Sequence, residues 1–142
     1  KDANSTEIDP ETSHPVIDLM PEQVSVKSKG ATMRLGAEKV IVLKDTVAYN
    51  LYNSEEIYER HRHRWEVNPD YWKILEKNGL VFSGKSPDGR RMEILELPDR
   101  FFFFASQFHG EFKSRPGKPD PEYYGFIKAC VDKKLGKAKA EF

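Results

Sequence analysis

His109 and Glu111 stand two positions apart in Gln107-Phe108-His109-Gly110-Glu111-Phe112, and an imidazole followed this closely by a carboxylate can prepare a nucleophile. The base takes a proton from a thiol or hydroxyl, while the carboxylate fixes the tautomer of the base and steadies the imidazolium that forms. Taken alone, such a spacing occurs more often as a surface pair than as a catalytic dyad. The nucleophile is the missing member. The chain has one cysteine, Cys130, which closes the i, i+3, i+4, i+7 series Tyr123, Phe126, Ile127, Cys130 and is therefore expected to be a buried, unreactive thiol.

A second block, Arg60-His61-Arg62-His63-Arg64-Trp65-Glu66, concentrates cations. A helix there would crowd basic side chains around one cylinder, so Ile57 to Val67 is expected to be extended. Alternate side chains of a strand share a face, which puts Arg60, Arg62, Arg64 and Glu66 on one side and His61, His63, Trp65 and Val67 on the other. A guanidinium fork matches a carboxylate or phosphate; the plain alternative is a solvated ladder with Arg64 paired to Glu59 or Glu66. His61-x-His63 supplies two imidazoles where a metal site needs three or four ligands, and no metal is expected. Glu7, closing Asn4-Ser5-Thr6-Glu7, reads by itself as a solvated residue near a chain end.

These segments resemble, in order, those of one family, the C-terminal glutamine amidotransferase domain of CTP synthases. The first block continues as Val67-Asn68-Pro69 and the second as Lys113-Ser114-Arg115-Pro116. Around them lie Asn4-Ser5-Thr6-Glu7, Val16-Ile17-Asp18-Leu19-Met20-Pro21-Glu22-Gln23, Gly30-Ala31-Thr32-Met33-Arg34-Leu35-Gly36 and Gly125-Phe126-Ile127-Lys128-Ala129. One such string is weak; the ordered series, from about Ala3 to Ala129, is strong.

The resemblance implies an α/β fold, the C-terminal part of a class I glutamine amidotransferase (flavodoxin-like) sheet flanked by helices and carrying β-hairpins. Residues 1–132 would form a partial amidotransferase domain without its N-terminal half, and 133–142 a basic tail. It implies that His109 and Glu111 belong to a Cys-His-Glu triad and that Arg64 and Glu7 bind the substrate L-glutamine. The chemistry agrees, since free glutamine carries an α-carboxylate and an α-ammonium that one guanidinium and one carboxylate can read. In the family the nucleophilic cysteine lies at a strand-to-helix elbow before the Asn-Ser-Thr-Glu motif, which here falls before Lys1. The chain alone is accordingly expected to be inactive.

For the parent protein the resemblance implies a cytoplasmic, glutamine-hydrolysing ligase of pyrimidine biosynthesis, a homotetramer. Its synthase domain would use ATP and magnesium to aminate UTP to CTP, with GTP as effector; no cofactor is expected in this chain. Its partners would be that synthase domain and the N-terminal half of the glutaminase domain. Two alternatives stand beside it: a non-catalytic or degenerate amidotransferase-like module acting as an interaction surface, and a stand-alone hydrolase of another γ-glutamyl compound. One residue departs from the family pattern. Gly110 replaces the usual proline, which frees the backbone at a cost of roughly 0.5–1 kcal/mol.

Composition bounds the rest. A chain of 142 residues fits one domain with a real core. Lys plus Arg and Asp plus Glu both number 23, so net charge gives no argument for nucleic acid or an anionic membrane, and neither is expected as a partner. No apolar run has bilayer length and no leader pattern is visible. A single cysteine excludes an internal disulfide framework and fits a reducing compartment. The absence of an initiator Met suggests a processed or truncated product.

Local signals place the elements. Lys1 to Met20 reads as a connector entering a brief strand, Thr32 to Leu43 as paired strands split at Gly36, and Ala48 to Tyr52 as a short helix. Asn68, Pro69 and Gly79 bracket a helix with Tyr71, Ile74 and Leu75 inward. Leu80 to Phe82 and Arg91 to Leu97 form a hairpin about Ser86-Pro87-Asp88-Gly89. Phe101 to Phe108 is expected to be an interior strand, carrying His109 and Glu111 at its carboxyl end with Arg64 facing the same cleft. Asp120 and Pro121 open the last helix, and the tail from Lys133 is expected to fray.

Overall fold

The computed structural model describes residues 2–20 and 33–142; Pro21-Glu22-Gln23 and Gly30-Ala31-Thr32 lie outside the described residues. In chain order the elements are β1 (Ala3–Ser5), β2 (His14–Leu19), β3 (Arg34–Val42), α1 (Val47–Tyr52), β4 (Glu56–His63), β5 (Trp65–Val67), α2 (Pro69–Lys77), β6 (Val81–Lys85), β7 (Met92–Glu96), β8 (Phe104–Ser106), a 3-10 turn (Gly110–Phe112) and α3 (Pro121–Lys134). Among the described residues they form two sheets, one of three strands in the order β1-β2-β5 and one of five in the order β4-β3-β6-β7-β8. The five-stranded sheet is antiparallel throughout, whereas β1 runs parallel to β2.

Cap and turn chemistry behave as their residues dictate. Asn68 accepts the Asp70 N–H, Pro69 occupies the first helical turn, and Gly79 follows the helix at φ +91°, a left-handed conformation that glycine adopts without steric cost. The hairpin closes through Gly89 N–H to Ser86 O at 2.8 Å and Ser86 N–H to Arg91 O at 3.0 Å. At α1, Thr46 caps and the buried Glu96 carboxylate accepts the Val47 and Ala48 N–H groups at 3.0 and 2.7 Å, which satisfies donors that a helix start otherwise leaves open.

Several expectations are corrected. Residues 34–42 form one strand that passes through Gly36 at φ +97°, not two. β1 adds a strand where a connector was expected. In α2 the inward pair is Trp72 and Leu75, while Ile74 is 55% exposed. Trp72 donates its Nε1–H to Val67 O at 3.0 Å, which rolls the helix away from the Ile74 side.

The run from Phe101 is not an interior strand. β8 has three residues and is an edge of its sheet. Phe102 instead packs its ring against Phe104, Phe126 and Phe142, so the aromatic residues seat α3 and the chain end rather than extend a ladder. That contact, with Lys137 Nζ to Asp132 Oδ1 at 3.0 Å and Glu141 N–H to Asp132 Oδ2 at 3.1 Å, ties down residues expected to fray.

The face of α3 is also inverted. Its buried residues are Gly125, Ala129 and Asp132; Phe126 and Ile127 are 55% and 61% exposed, and Cys130 is exposed. A Cβ at Gly125 would lie 2.7 Å from Leu51 Cδ1. Helices α1 and α3 therefore approach too closely for large side chains between them, and the small residues turn inward.

One buried cation joins the sheets. Arg34 on β3 donates to Glu93 on β7 (Nη2 to Oε1, 2.9 Å) and to Glu66 on β5 (Nη1 to Oε1, 3.1 Å). Burial opposes the charge on Arg34, but the hydrogen bonds from Glu38 and Glu93 outweigh it and raise its pKa. Beside it His61 is 2% exposed; burial, then Arg34 and His63, push its imidazole down to about 4. His61 is thus neutral at pH 7, and its Nδ1 lying 3.8 Å from Glu93 Oε2 makes no ion pair.

Two outcomes follow. Arg34→Ala leaves the buried Glu93 without its cation and Glu66 with only Arg91, at 3.7 Å, as a guanidinium partner, and should cost about 3–5 kcal/mol, read as a shift in the urea midpoint followed by fluorescence of Trp65 and Trp72. Because the folded state holds His61 at a depressed pKa, the unfolded chain binds the extra proton first, so stability is lost as pH falls from about 6.5 toward 4. His61→Phe should flatten that acid limb in urea titrations at several pH values. A limb as steep as in the parent would count against His61.

Candidate active site

β8 ends at Ser106, and two bent residues later the chain reaches His109. Its N–H donates to Arg60 O at 2.9 Å, pinning the residue to β4, and the 3-10 turn then brings Glu111 back beneath the ring. His109 Nδ1 lies 2.7 Å from Glu111 Oε1. A carboxylate at Nδ1 demands the Nδ1–H tautomer, which leaves Nε2 free to accept a proton. Tyr123 on α3 donates its hydroxyl to Glu111 Oε2 at 3.3 Å. Desolvation of Glu111 acts upward, but the hydrogen bonds from His109, its own backbone N–H and Tyr123, together with the charge of His109, outweigh it and hold the carboxyl below its ordinary range.

The pair is open to solvent, its side chains 38% and 53% exposed. An exposed pair of this kind contributes roughly 0–1 kcal/mol to stability, so folding energetics give little reason for it. Two hydrogen bonds from Lys113 hold its turn. Lys113 donates to Tyr58 O and to Glu59 Oε1, each at 2.6 Å, with Glu59 wholly buried on β4.

Arg64 lies between β4 and β5, where the chain leaves one sheet for the other. This break resets the alternation. Arg60 and Arg62 face solvent and His61 faces inward as expected, but Glu66 is 1% exposed and paired with Arg34, not aligned with the arginines outside. Neither alternative partner serves Arg64, because Glu66 is engaged by Arg34 and Glu59 by Lys113. Its Nε is buried with no hydrogen-bond partner among the described residues. His63 belongs to the Arg34 cluster, its Nε2 lying 3.1 Å from Glu66 Oε1.

Glu7 is exposed on the turn after β1, its N–H donating to Ser5 Oγ at 3.2 Å. Trp65 connects the parts. Its Nε1–H donates to Thr6 Oγ1 at 3.1 Å, Thr6 donates to Asp18 Oδ1 at 2.7 Å, and the Trp65 carbonyl accepts from Gln107 Nε2 at 2.9 Å. Glu7 and Arg64 are thus each one residue from this network and His109 two. Among the described residues, only His109 and Glu111 of these four share a hydrogen bond.

The site is a surface, not an enclosed pocket. A cleft of about 580 Å³ lies between β4 and residues 113–121, lined by Tyr52, Ile57, Tyr58, Lys113 and Arg115 among others, and contains none of the four. Sequence reasoning missed Thr6, Trp65, Gln107 and Tyr123 as supports. Their one signal was nearness to the motifs. Arg34 had a clearer one, a cation between Met33 and Leu35 at the start of a strand.

Comparison with known proteins gives three findings. The family model for class-I glutamine amidotransferases matches residues 11–129. The CTP synthase of Pyrococcus furiosus is 60% identical over 138 residues, 96% of this chain and 26% of that protein; that of Methanocaldococcus jannaschii is 54% identical over 133 residues, 94% of this chain and 25% of that protein. The chain spans about a quarter of the length of these relatives. Among solved structures, the glutaminase domain of Trypanosoma brucei CTPS with bound acivicin superposes with a TM-score of 0.83 at 39% identity, covering 92% of this chain and 51% of that one.

Proposed function

The chain belongs to the class-I glutamine amidotransferase family, and from that premise we propose that it carries the base, carboxylate and substrate clamp of a CTP synthase's glutamine-hydrolysing site. Its α/β fold is that of the flavodoxin-like glutaminase domain. The observation that carries the reading is the 2.7 Å contact of His109 Nδ1 with Glu111 Oε1.

The reaction needs a thiol, which we assign to a segment outside these 142 residues. That thiol gives its proton to His109 Nε2 and attacks the γ-amide carbon of glutamine. Collapse of the tetrahedral intermediate breaks the C–N bond as His109 returns the proton to the leaving ammonia. Water, deprotonated by His109, then cleaves the thioester and releases glutamate. Glu111 stabilises the imidazolium at each transfer. Arg64, with Nε uncommitted, takes the α-carboxylate and Glu7 the α-ammonium. The ammonia would aminate UTP in a cytoplasmic, tetrameric parent that binds ATP, magnesium and a GTP effector. The CTP synthases among the sequence relatives support CTP as the parent's product.

The open dyad and the apolar outer face of α3 call for a covering partner, and we place there the other half of the glutaminase domain. The solved domain supports this, since the chain accounts for 51% of it.

In the longer protein, His109→Ala should lower glutamine-dependent CTP formation about 10²–10⁴-fold while sparing synthesis from added ammonia. Equal loss with ammonia would sink the assignment. Arg64→Ala should raise KM for glutamine about 10–100-fold, the worth of a charge-assisted hydrogen bond, with kcat little changed. Cys130 should react readily with a maleimide in the isolated chain and be protected in the longer protein. Equal labelling of both would exclude α3 as the covered face.

A further inference from the structure

Gly110 sits between the two members of the dyad, where the amidotransferases that the sequence resembles carry proline. Its φ is not in the left-handed region, so the backbone conformation does not demand glycine. Space does. Gly110 is buried, and a Cβ built on it would overlap Glu122 Oε1 and lie 2.9 Å from Glu122 Cδ and 3.0 Å from Asp120 Cγ. The Glu122 carboxylate packs directly against Gly110, whose backbone N–H helps to hold the carboxyl's pKa down, and proline has neither that hydrogen nor that room.

Glu122, on the first turn of α3, is fixed from two further sides. Its Oε2 accepts the Ser106 hydroxyl at 2.7 Å and its own N–H donates to Asp120 Oδ1 at 3.3 Å. One carboxylate therefore ties together β8, α3 and the turn between His109 and Glu111. The arrangement carries an electrostatic cost: burial pushes the Glu122 carboxyl up, and Asp120 and Glu111 add repulsion that the bonds from Ser106 and Gly110 oppose. A leucine or alanine at this site would avoid that cost and lose the tie.

We propose that Glu122 is a positioning residue for the His109 and Glu111 dyad, its carboxylate fixing the Gly110 turn in place of a proline ring, so that residues 110 and 122 can be exchanged only together. This rests on the glutaminase reading of the site. Glu122 acts through Gly110 and touches no reacting atom.

The test uses the full-length protein. Glu122→Ala should lower kcat for glutamine hydrolysis about tenfold, through loss of near-attack geometry, with KM for glutamine within about twofold and ammonia-dependent synthesis unchanged. Glu122→Gln keeps an acceptor for the Gly110 N–H and should recover most of the rate. Gly110→Pro alone should be damaging, whereas Gly110→Pro with Glu122→Ala should exceed either single variant, a coupling that independent sites do not show. In protein labelled with ¹⁵N-histidine, the His109 Nδ1–H signal should persist in Glu122→Gln and be lost to solvent exchange in Glu122→Ala. Full activity of Gly110→Pro with Glu122 present, additive loss in the double variant, or an unchanged His109 signal in Glu122→Ala would each overturn the proposal. If the parent protein does not hydrolyse glutamine but the His109 signal follows Glu122 as stated, the glutaminase reading fails and the positioning role stands.

Discussion

The pairing of Arg34 with Glu66 and Glu93 is the constraint on which the rest depends. Glu66 belongs to the three-stranded sheet, and Arg34 and Glu93 to the five-stranded one. Two apolar sheet faces can slide over each other at small cost, but a guanidinium fork bonded to both cannot. A buried ion pair of this kind adds little net stability over an apolar equivalent, because desolvation consumes most of the attraction. What it fixes is register. The crossing from β4 to β5 occurs at Arg64, so the joint also decides where that side chain stands.

From this joint the site is built by short hydrogen bonds. Trp65 reaches Thr6 on one side and Gln107 on the other, so the strand ends bearing Glu7, Arg64 and His109 cannot drift independently. Lys113 closes over the buried Glu59 and holds the far end of the turn that carries Glu111. Burial raises the Glu59 carboxyl, and the Lys113 ammonium opposes this; without that cation the carboxylate would be buried unpaired. On the proposed reading, rigid supports beneath an open surface suit a half-site, whose geometry must exist before the other half completes it.

The sequence announced the features that arise from local chemistry. Asn68-Pro69 starts a helix, Ser86-Pro87-Asp88-Gly89 turns a hairpin, and His109-x-Glu111 forms its bond, all within a few residues of chain. It misled where distant packing decides. The series Tyr123, Phe126, Ile127, Cys130 has perfect helical spacing, yet Leu51, far away in the chain, meets Gly125 and turns that stripe outward. The run from Phe101 has the composition of a covered strand, yet its rings serve α3 and Phe142. Glu66 left the expected ladder because the chain changes sheets at Arg64, a break that alternation alone does not reveal.

The exposure of the dyad sets what must be added to it. At 38% and 53% exposure the attraction between imidazolium and carboxylate is screened by water. Two unit charges about 4 Å apart attract by about 1 kcal/mol in bulk solvent and by about 4 kcal/mol at the effective dielectric constant of a protein surface. Closing the site would strengthen the Glu111 contribution without moving an atom of the pair. On the proposed reading, a covering segment that brought the thiol would change the dyad twice, by supplying the nucleophile and by lowering the local dielectric. The dyad's bond is already made in the open state, so closure need not spend binding free energy on orienting the base.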